Sequence, residues 1–180
     1  MKLLIEENEI TLRTIENTDE LFLIELKNDS FVRAMNGNED NSDEVHNSSK
    51  SVMEDYILVA RNDSLTYVIQ NVSGDFCGII TTHHCDKKSR SFKYGVSIRE
   101  NFRRKGYALK AINAILKYYF HELSYLSAIA EVYSLNKASI ELHEKLKFKK
   151  EKVDQNAINI CGKLYDKITF VLTRNDFVEF

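Results

Sequence analysis

The stretch of the chain that decides the fold reads Val96-Ser97-Ile98-Arg99-Glu100-Asn101-Phe102-Arg103-Arg104-Lys105-Gly106-Tyr107-Ala108. A strand pattern ends here, a cationic loop with one glycine follows, and a helix pattern begins. Four cations against one carboxylate give the stretch a local charge of about +3, in a chain whose net charge is −2.

A strand-to-helix junction of this kind favours an anion-binding site. The first backbone N–H groups of a helix have no acceptor within the helix, and the positive end of the helix dipole lies beside them. Gly106 lets a phosphate approach the backbone closely because it has no side chain. The loop is not a Walker loop, since it has a single glycine and no Gly-Lys-Ser/Thr sequence. The competing interpretation is a solvated turn with ordinary surface cations.

Outward from this junction, the apolar pattern predicts an α/β protein with a mixed sheet. The expected strands cover residues 10–13, 65–71, 76–84, 92–98, 126–133, 148–153 and 164–172. The expected helices cover residues 19–27, 51–60, 104–122 and 136–146. Leu21 and Ile24 are expected to face inward from the first helix, with Phe22 and Leu26 as further candidates. Residues 36–49 are the most polar stretch, and we expect a loop or a poorly packed helix start there.

Length and composition set the broad class. The 180 residues, 43% of them apolar, are enough for one globular domain with a sizeable core. The near-neutral charge argues against a general nucleic-acid binder, and no apolar stretch is long enough for a transmembrane helix. The apolar run after Met1 is too short for the core of a signal peptide, and three cysteines do not form a disulfide framework. We therefore expect a cytoplasmic protein.

The predicted helix over residues 136–146 has two faces. Asn136, Ser139 and His143 stand at i, i+3 and i+7 and form one polar stripe, while the leucines form a separate apolar stripe. One stripe can bury against the sheet while the other lines a cleft. The plainer interpretation makes Asn136 an N-cap only and His143 a surface histidine.

Two further groups of residues carry side chains suited to chemistry. His83, His84 and Cys85 are metal-ligand types, but strand alternation lets only His83 and Cys85 converge. Two ligands fall short of a zinc site, so we predict no metal. Glu131, on a predicted buried strand, is either a general base acting through water or a structurally paired carboxylate.

The motif Arg103-x-x-Gly106-x-Ala108 after a strand resembles the acetyl-CoA pyrophosphate loop of the GNAT superfamily of N-acetyltransferases. Other segments resemble the family in the expected order: Leu12-Arg13 with Asp19-Glu20, Tyr133-Ser134-Leu135-Asn136-Lys137-Ala138-Ser139, Glu144-Lys145-Leu146-Lys147-Phe148 and Gly162-Lys163-Leu164-Tyr165-Asp166. The resemblance spans residues 10–176, which we expect to form a single N-acetyltransferase domain. It is nearest to the branch that contains ribosomal-protein-alanine and spermidine acetyltransferases.

This resemblance implies a fold and a cofactor site. The fold is a mixed, mostly antiparallel sheet of six to seven strands with about four helices, splayed between its fourth strand (92–98) and fifth strand (126–133). Pantetheine would fill the gap, bonded to the backbone of Val96 and Ile98. Six residues would hold the pyrophosphate: Arg103, Arg104, Lys105, Gly106, Tyr107 and Ala108. Asn136 would contact the pantetheine arm, with Ser139 one turn further on.

The chain also departs from the family pattern. Arg99-Glu100 stand at a strand end that usually has proline, and Arg104 and Lys147 stand at positions that often have glycine. Relatives often have a catalytic tyrosine where this chain has His143, and a strand glutamate where it has Lys93. We predict that His143 takes over the role of the tyrosine and protonates the leaving thiolate, or serves as the base instead.

The resemblance implies an enzyme that transfers acetyl from acetyl-CoA to a primary amine by direct attack in a ternary complex. The alternative is a catalytically weak acyl-CoA-binding module with a regulatory role. The acceptor is expected to be a small-molecule or peptide amine, and the four carboxylates within residues 39–44 make a polyamine a candidate. We expect no metal, nucleic-acid or membrane partner, and whether the chain forms a homodimer stays open.

Overall fold

The computed structural model describes residues 4–7, 9–35 and 65–179. The polar segment 36–49, its acidic part 39–44 and the helix predicted over 51–60 lie outside the described residues. The strands are β1 (Leu4–Glu7), β2 (Ile10–Thr14), β3 (Thr66–Asn71), β4 (Phe76–Asp86), β5 (Ser91–Ile98), β6 (Ser127–Tyr133), β7 (Lys149–Ile160) and β8 (Lys163–Thr173). The helices are α1 (Glu20–Asn28), α2 (Ser30–Met35), α3 (Tyr107–Lys117) and α4 (Lys137–Lys145).

The described strands form one open sheet of eight, in the order β1-β2-β3-β4-β5-β6-β8-β7. Every neighbouring pair among them is antiparallel except β5 and β6, which run parallel. Parallel strands need a crossover, which α3 provides. The expectation of a mostly antiparallel mixed sheet is confirmed, and the strand beyond the predicted seven is β1.

The sheet is covered on both faces. The larger apolar cluster lies between the sheet and α3, with further contributions from α4 and the chain that follows it. The smaller cluster joins α1 and α2 to β3 and β4. None of the described helices is both long and apolar enough to cross a membrane.

The prediction for the inward face of α1 is confirmed only in part: Ile24 and Leu26 pack against the smaller cluster as expected, whereas the prediction for Leu21 is wrong. Leu23 and Leu26 are buried, whereas Leu21 is 76% exposed. The helix entry is held by Arg13, whose guanidinium donates to both carboxylate oxygens of buried Asp19, each at 2.8 Å. The rotation of α1 is fixed by the packing of Leu23 and Leu26 against β3 and β4, which a pattern of leucines on both sides of the helix does not specify.

The sheet opens between β5 and β6. The two strands pair only from Ser91 to Lys93 on β5 and from Ser127 to Ile129 on β6, although both continue beyond this point. The predicted splay is therefore confirmed. Helix α3 begins at Tyr107, three residues later than expected, because Gly106 has a left-handed backbone conformation and caps the helix.

Lys147 is the exposed residue that ends α4 in a left-handed conformation, with φ of +66°. The N–H of Phe148 donates to the carbonyl of His143 at 2.9 Å, which is the helix-ending arrangement that favours glycine at the preceding position. We expect Lys147→Gly to raise the free energy of unfolding by about 0.5–1 kcal/mol, because it removes a Cβ penalty larger than the entropy that glycine adds to the unfolded chain.

Thermal melts of parent and variant check this expectation. The matched control is Lys145→Gly, the same change at the last residue of α4, which should lower the melting temperature because glycine is a poor helix former. A Lys147→Gly protein that melts at or below the parent contradicts the assignment of backbone strain to this residue.

Candidate active site

A cleft of about 780 Å³ opens where β5 and β6 separate. It is bounded by the ends of β5 and β6, the start of α3, helix α4 and part of α2. Eleven of the twelve predicted site residues line it: Val96, Ile98, Arg103, Arg104, Gly106, Tyr107, Ala108, Glu131, Asn136, Ser139 and His143. The remaining one, Lys105, lies outside this lining. The residues that the sequence analysis selected are therefore placed by the fold around one cavity.

The start of α3 forms the anion-binding end of the cleft. Gly106 caps the helix with φ of +83°, a conformation that glycine adopts without strain. A Cβ built at Gly106 would have nothing within 4 Å, so the space before the helix N-terminus is open. Arg104 and Lys105 are exposed beside it. Free N–H groups, open space and two cations fit a phosphate group.

Two arginines of the cationic loop are already paired within the protein. The Arg103 guanidinium donates to the carbonyl of Ile98 at 3.0 Å and to the carboxylate of Asp29 at 2.5 Å. Arg99 donates to Glu25 at 2.7 Å and to the backbone of Phe76. The local charge of the loop is therefore largely balanced by α1 and the residue between α1 and α2. Arg104 and Lys105 remain the cations placed at the helix start.

The backbone of β5 presents alternate residues to the gap. The N–H of Arg99 donates to the carbonyl of Cys77 at 2.9 Å, so this residue and every second one before it bond to β4. Val96 and Ile98 then point their backbone groups the other way, towards the gap. The carbonyl of Ile98 accepts from Arg103, while the backbone groups of Val96 face the gap beyond the last β5–β6 pair.

Asn136 is the N-cap of α4, because its side-chain oxygen accepts from the N–H of Ser139 at 3.1 Å. The plainer interpretation of this residue is confirmed in that respect. Asn136 and Ser139 nevertheless both line the cleft. An N-cap whose amide group borders a cavity keeps its NH₂ donors for a ligand while its oxygen holds the helix.

His143 is buried, with 3% of its surface exposed, so its interpretation as a surface histidine is wrong. Its Nδ1 donates to the carbonyl of Ser139 at 2.7 Å, and its Nε2 accepts from the hydroxyl of Tyr94 at 2.9 Å. The rings of Phe148 and Phe170 pack against the imidazole. Burial lowers the pKa of His143, opposed by the bond to Ser139, so the ring is neutral at neutral pH.

Tyr94 is a cleft residue that sequence reasoning missed. It lies on β5 with 5% of its surface exposed, and burial raises the pKa of its hydroxyl well above the usual value. A tyrosine on the buried face of a strand needs a partner for its hydroxyl. That rule pointed to a polar contact at Tyr94, but only the packing of α4 on the sheet identifies His143 as the partner.

Glu131 lines the cleft and lies in an ion-pair cluster with two lysines. Its carboxylate accepts from Lys93 at 2.9 Å and lies 3.6 Å from the ammonium of Lys167. Partial burial raises the pKa of Glu131, but the hydrogen bond from Lys93 and the two positive charges outweigh it, and the net shift is downward. The reading of Glu131 as a paired carboxylate is confirmed, and a lowered pKa makes it a weak base.

The histidine pair on β4 departs from strand alternation. His84 has φ of +49° at an irregularity in the β4–β5 ladder, and its Nδ1 lies 2.7 Å from Nδ1 of His83. The expectation that these neighbours point to opposite faces is therefore wrong. Within residues 4–7, 9–35 and 65–179, no three histidine, cysteine or acidic side chains are grouped so that they could hold a metal ion.

Comparisons with known proteins agree with this geometry. A model of the "Acetyltransferase (GNAT) domain" matches residues 9–149. The SPbeta prophage-derived uncharacterized N-acetyltransferase YokL of Bacillus subtilis strain 168 is 32% identical over 170 residues, covering 93% of this chain and 92% of the relative.

Solved structures show the same fold. The spermidine N-acetyltransferase of Vibrio cholerae, in complex with CoA and spermine, superposes with a TM-score of 0.82 at 21% identity, covering 93% of this chain and 97% of that one. A GNAT family acetyltransferase of Bacillus anthracis gives a TM-score of 0.78 at 19% identity, covering 96% and 99%. With the domain match and the Bacillus subtilis relative, these findings establish that the chain belongs to the GNAT family of acetyl-CoA-dependent acetyltransferases.

Proposed function

We propose that this protein transfers the acetyl group of acetyl-CoA to a primary amine by direct attack within the cleft. The observation that carries the proposal is that the phosphate-compatible start of α3 and the unpaired edge of β5 open into one cavity. The pyrophosphate would lie at Gly106, with Arg104 beside it and Lys105 further out. The pantetheine arm would run along Val96 towards the point where β5 and β6 meet, with Asn136 on its other side.

The reaction needs a neutral amine. A lysine-type amine has a pKa near 10.4, so most of it is protonated at neutral pH and must lose a proton before or during attack. The nitrogen then attacks the thioester carbonyl, and the sulfur leaves as the C–S bond breaks. Glu131 is a weak candidate for the base, because Lys93 and Lys167 stabilise its charged form.

A polyamine is the acceptor we test first. The spermidine N-acetyltransferase of Vibrio cholerae shares the fold of this chain, and residues 39–44 carry four carboxylates that would attract a cation. The segment lies outside the described residues, so this argument rests on its charge alone. On the described side of the cleft, Lys93 and Lys167 oppose a polycation at Glu131.

Release of the CoA thiol, measured with spermidine and with a peptide whose N-terminal residue is alanine, tests both the acetyl transfer and the choice of acceptor. Turnover with either amine supports the enzyme. Tight acetyl-CoA binding without turnover on any amine supports the alternative, an acyl-CoA-binding module. For a polyamine acceptor we expect kcat/KM for spermidine to fall as salt rises, because the capture is electrostatic.

A double variant and its control locate that attraction. Asp40→Asn with Asp43→Asn should lower kcat/KM for spermidine. Glu122→Gln with Glu151→Gln removes the same two charges from exposed positions outside the cleft lining and should leave it unchanged. If kcat/KM for spermidine changes neither with salt nor in the first double variant, the electrostatic argument for a polyamine acceptor is refuted. The peptide amine is then the preferred acceptor.

A further inference from the structure

The buried pair of Tyr94 and His143 joins β5 to α4 across the floor of the cleft. Tyr94 lies immediately after the last paired residue of β5, where the sheet opens, and both side chains line the cavity. Two groups of Ser139 lie against Nδ1 of His143, the carbonyl oxygen at 2.7 Å and the hydroxyl at 3.3 Å. The carbonyl is the nearer and can only accept, so this contact assigns the imidazole proton to Nδ1. Nε2 is then the acceptor, and the Tyr94 hydroxyl donates to it.

We propose that the Tyr94 hydroxyl touches the reacting atoms and, with His143 behind it, carries the proton of the attacking amine to the leaving sulfur. The proposal rests on the proposed function and names the residues that move its proton. In this arrangement Tyr94 is the catalytic residue, and His143 acts through it.

The proton count balances over two steps. After attack, the positively charged nitrogen gives a proton to the Tyr94 oxygen as Tyr94 passes its own proton to Nε2 of His143. The C–S bond then breaks, Tyr94 gives a proton to the thiolate, and Nε2 returns its proton to Tyr94. One proton has moved from nitrogen to sulfur, and both side chains are restored.

The surroundings suit a relay that rests in its neutral state. Burial keeps the tyrosine protonated and the imidazole neutral, because it raises the pKa of Tyr94 and lowers that of His143. The transient imidazolium would be held by the Ser139 carbonyl. The side chains that pack against the imidazole ring are aromatic: Tyr94, Phe148 and Phe170. The charged side chains that line the same cleft from β6 and α4 are Glu131, Glu141 and Lys145. From β7, the Lys150 ammonium lies over the ring of Phe170, which stacks on the imidazole.

In this arrangement His143 is not the direct acid that the sequence analysis predicts. The imidazole offers no free N–H to the cleft, since Nδ1 is bonded to Ser139 and Nε2 is an acceptor. Relatives often have a tyrosine hydroxyl on α4, at the position of His143. In this chain, Tyr94 of β5 would supply that hydroxyl instead. A tyrosine on the strand and a histidine on the helix together place a phenol at the junction of β5 and β6.

Tyr94→Phe tests the catalytic half of the proposal. We expect kcat for spermidine, or for the alanine-ended peptide if spermidine does not react, to fall by about 10²–10⁴-fold, while the acetyl-CoA affinity stays within about threefold. The matched control is Tyr67→Phe, since the Tyr67 hydroxyl is buried outside the cleft and has no hydrogen-bond partner among the described residues. It should retain kcat. A Tyr94→Phe enzyme within threefold of the parent overturns the proposal.

His143→Gln tests the positioning half, because an amide can hold the Tyr94 hydroxyl but cannot take its proton. In the parent, kcat at saturating amine should decline as pH falls below 6.5, since protonating the imidazole removes the acceptor and its pKa is lowered from that value. In His143→Gln that decline should vanish and kcat should be lower throughout. A decline that persists unchanged in the variant overturns the role of His143.

One measurement needs no amine at all. A ¹⁵N NMR spectrum of the parent at pH 7.5 should show the His143 imidazole protonated at Nδ1 and unprotonated at Nε2. Protonated Nε2 overturns the relay. The two proposals also fail separately: a parent without turnover on any amine removes the proposed function, whereas an active Tyr94→Phe enzyme removes only the relay.

Discussion

Replacing Gly106 with leucine is expected to abolish the rise in melting temperature that acetyl-CoA produces in the parent. The leucine side chain would fill the open space before the start of α3, where the pyrophosphate is proposed to lie. We expect acetyl-CoA to bind at least about 100-fold more weakly, which corresponds to about 2.7 kcal/mol. Calorimetric titration and thermal melts with and without acetyl-CoA measure the effect.

The same substitution strains the backbone, and a second glycine separates the two effects. Gly106 has φ of +83°, where a side chain costs about 1–2 kcal/mol. Gly162, in the turn between β7 and β8, has φ of +78° and equally open surroundings, but it lies outside the cleft lining. Gly162→Leu should lower the melting temperature of the free protein and keep the full acetyl-CoA shift. A Gly106→Leu protein that binds as tightly as the parent refutes the phosphate site.

Gly78→Ala is expected to destabilise the folded protein strongly, although it adds only one methyl group. A Cβ at Gly78 would overlap the carbonyl oxygen of Ser97 on β5 and lie 3.0 Å from Cα of Ile98. Both neighbours are backbone, so they can yield only if β4 and β5 separate. We expect a loss of about 3 kcal/mol or more in the free energy of unfolding, at the upper end of overpacking costs.

Gly95→Ala is the matched control for that change. Gly95 lies on the adjacent strand β5, and a Cβ there meets nothing within 4 Å. Its melting temperature should equal or exceed that of the parent, because glycine weakens a strand interior. Chemical denaturation of the two variants compares the losses directly. Equal stability of Gly78→Ala and Gly95→Ala would show that β4 and β5 do not approach as closely as described.

The close approach of β4 and β5 at Gly78 also shapes the cleft. It fixes one edge of β5 against β4, so that the other edge of β5 faces the gap. Because Ser97 and Arg99 are committed to β4, Val96 is the residue whose backbone groups are presented to the cleft. Separating the two strands should therefore also weaken acetyl-CoA binding.

Local sequence determined most of the elements around the cleft, but not β1 or α2. The cationic loop with Gly106, the strand before it and the helix after it are contiguous in the chain, so periodicity and loop chemistry specify them without tertiary information. The stripe of Asn136, Ser139 and His143 follows from helix geometry alone. The resemblance to the family, in which this position often has glycine, pointed to a left-handed residue at Lys147, and the structure has one there.

Only the tertiary structure decided which of these groups face one another. Arg103 is paired with a carboxylate 74 residues away, and Tyr94 with an imidazole 49 residues away. The inward face of α1 likewise depends on the packing of its leucines against β3 and β4. Periodicity records which side of an element is apolar, but it carries no information on how elements rotate and pack. Whether a loop cation is free, and whether a histidine rests neutral behind a tyrosine, is therefore decided by long-range packing and burial.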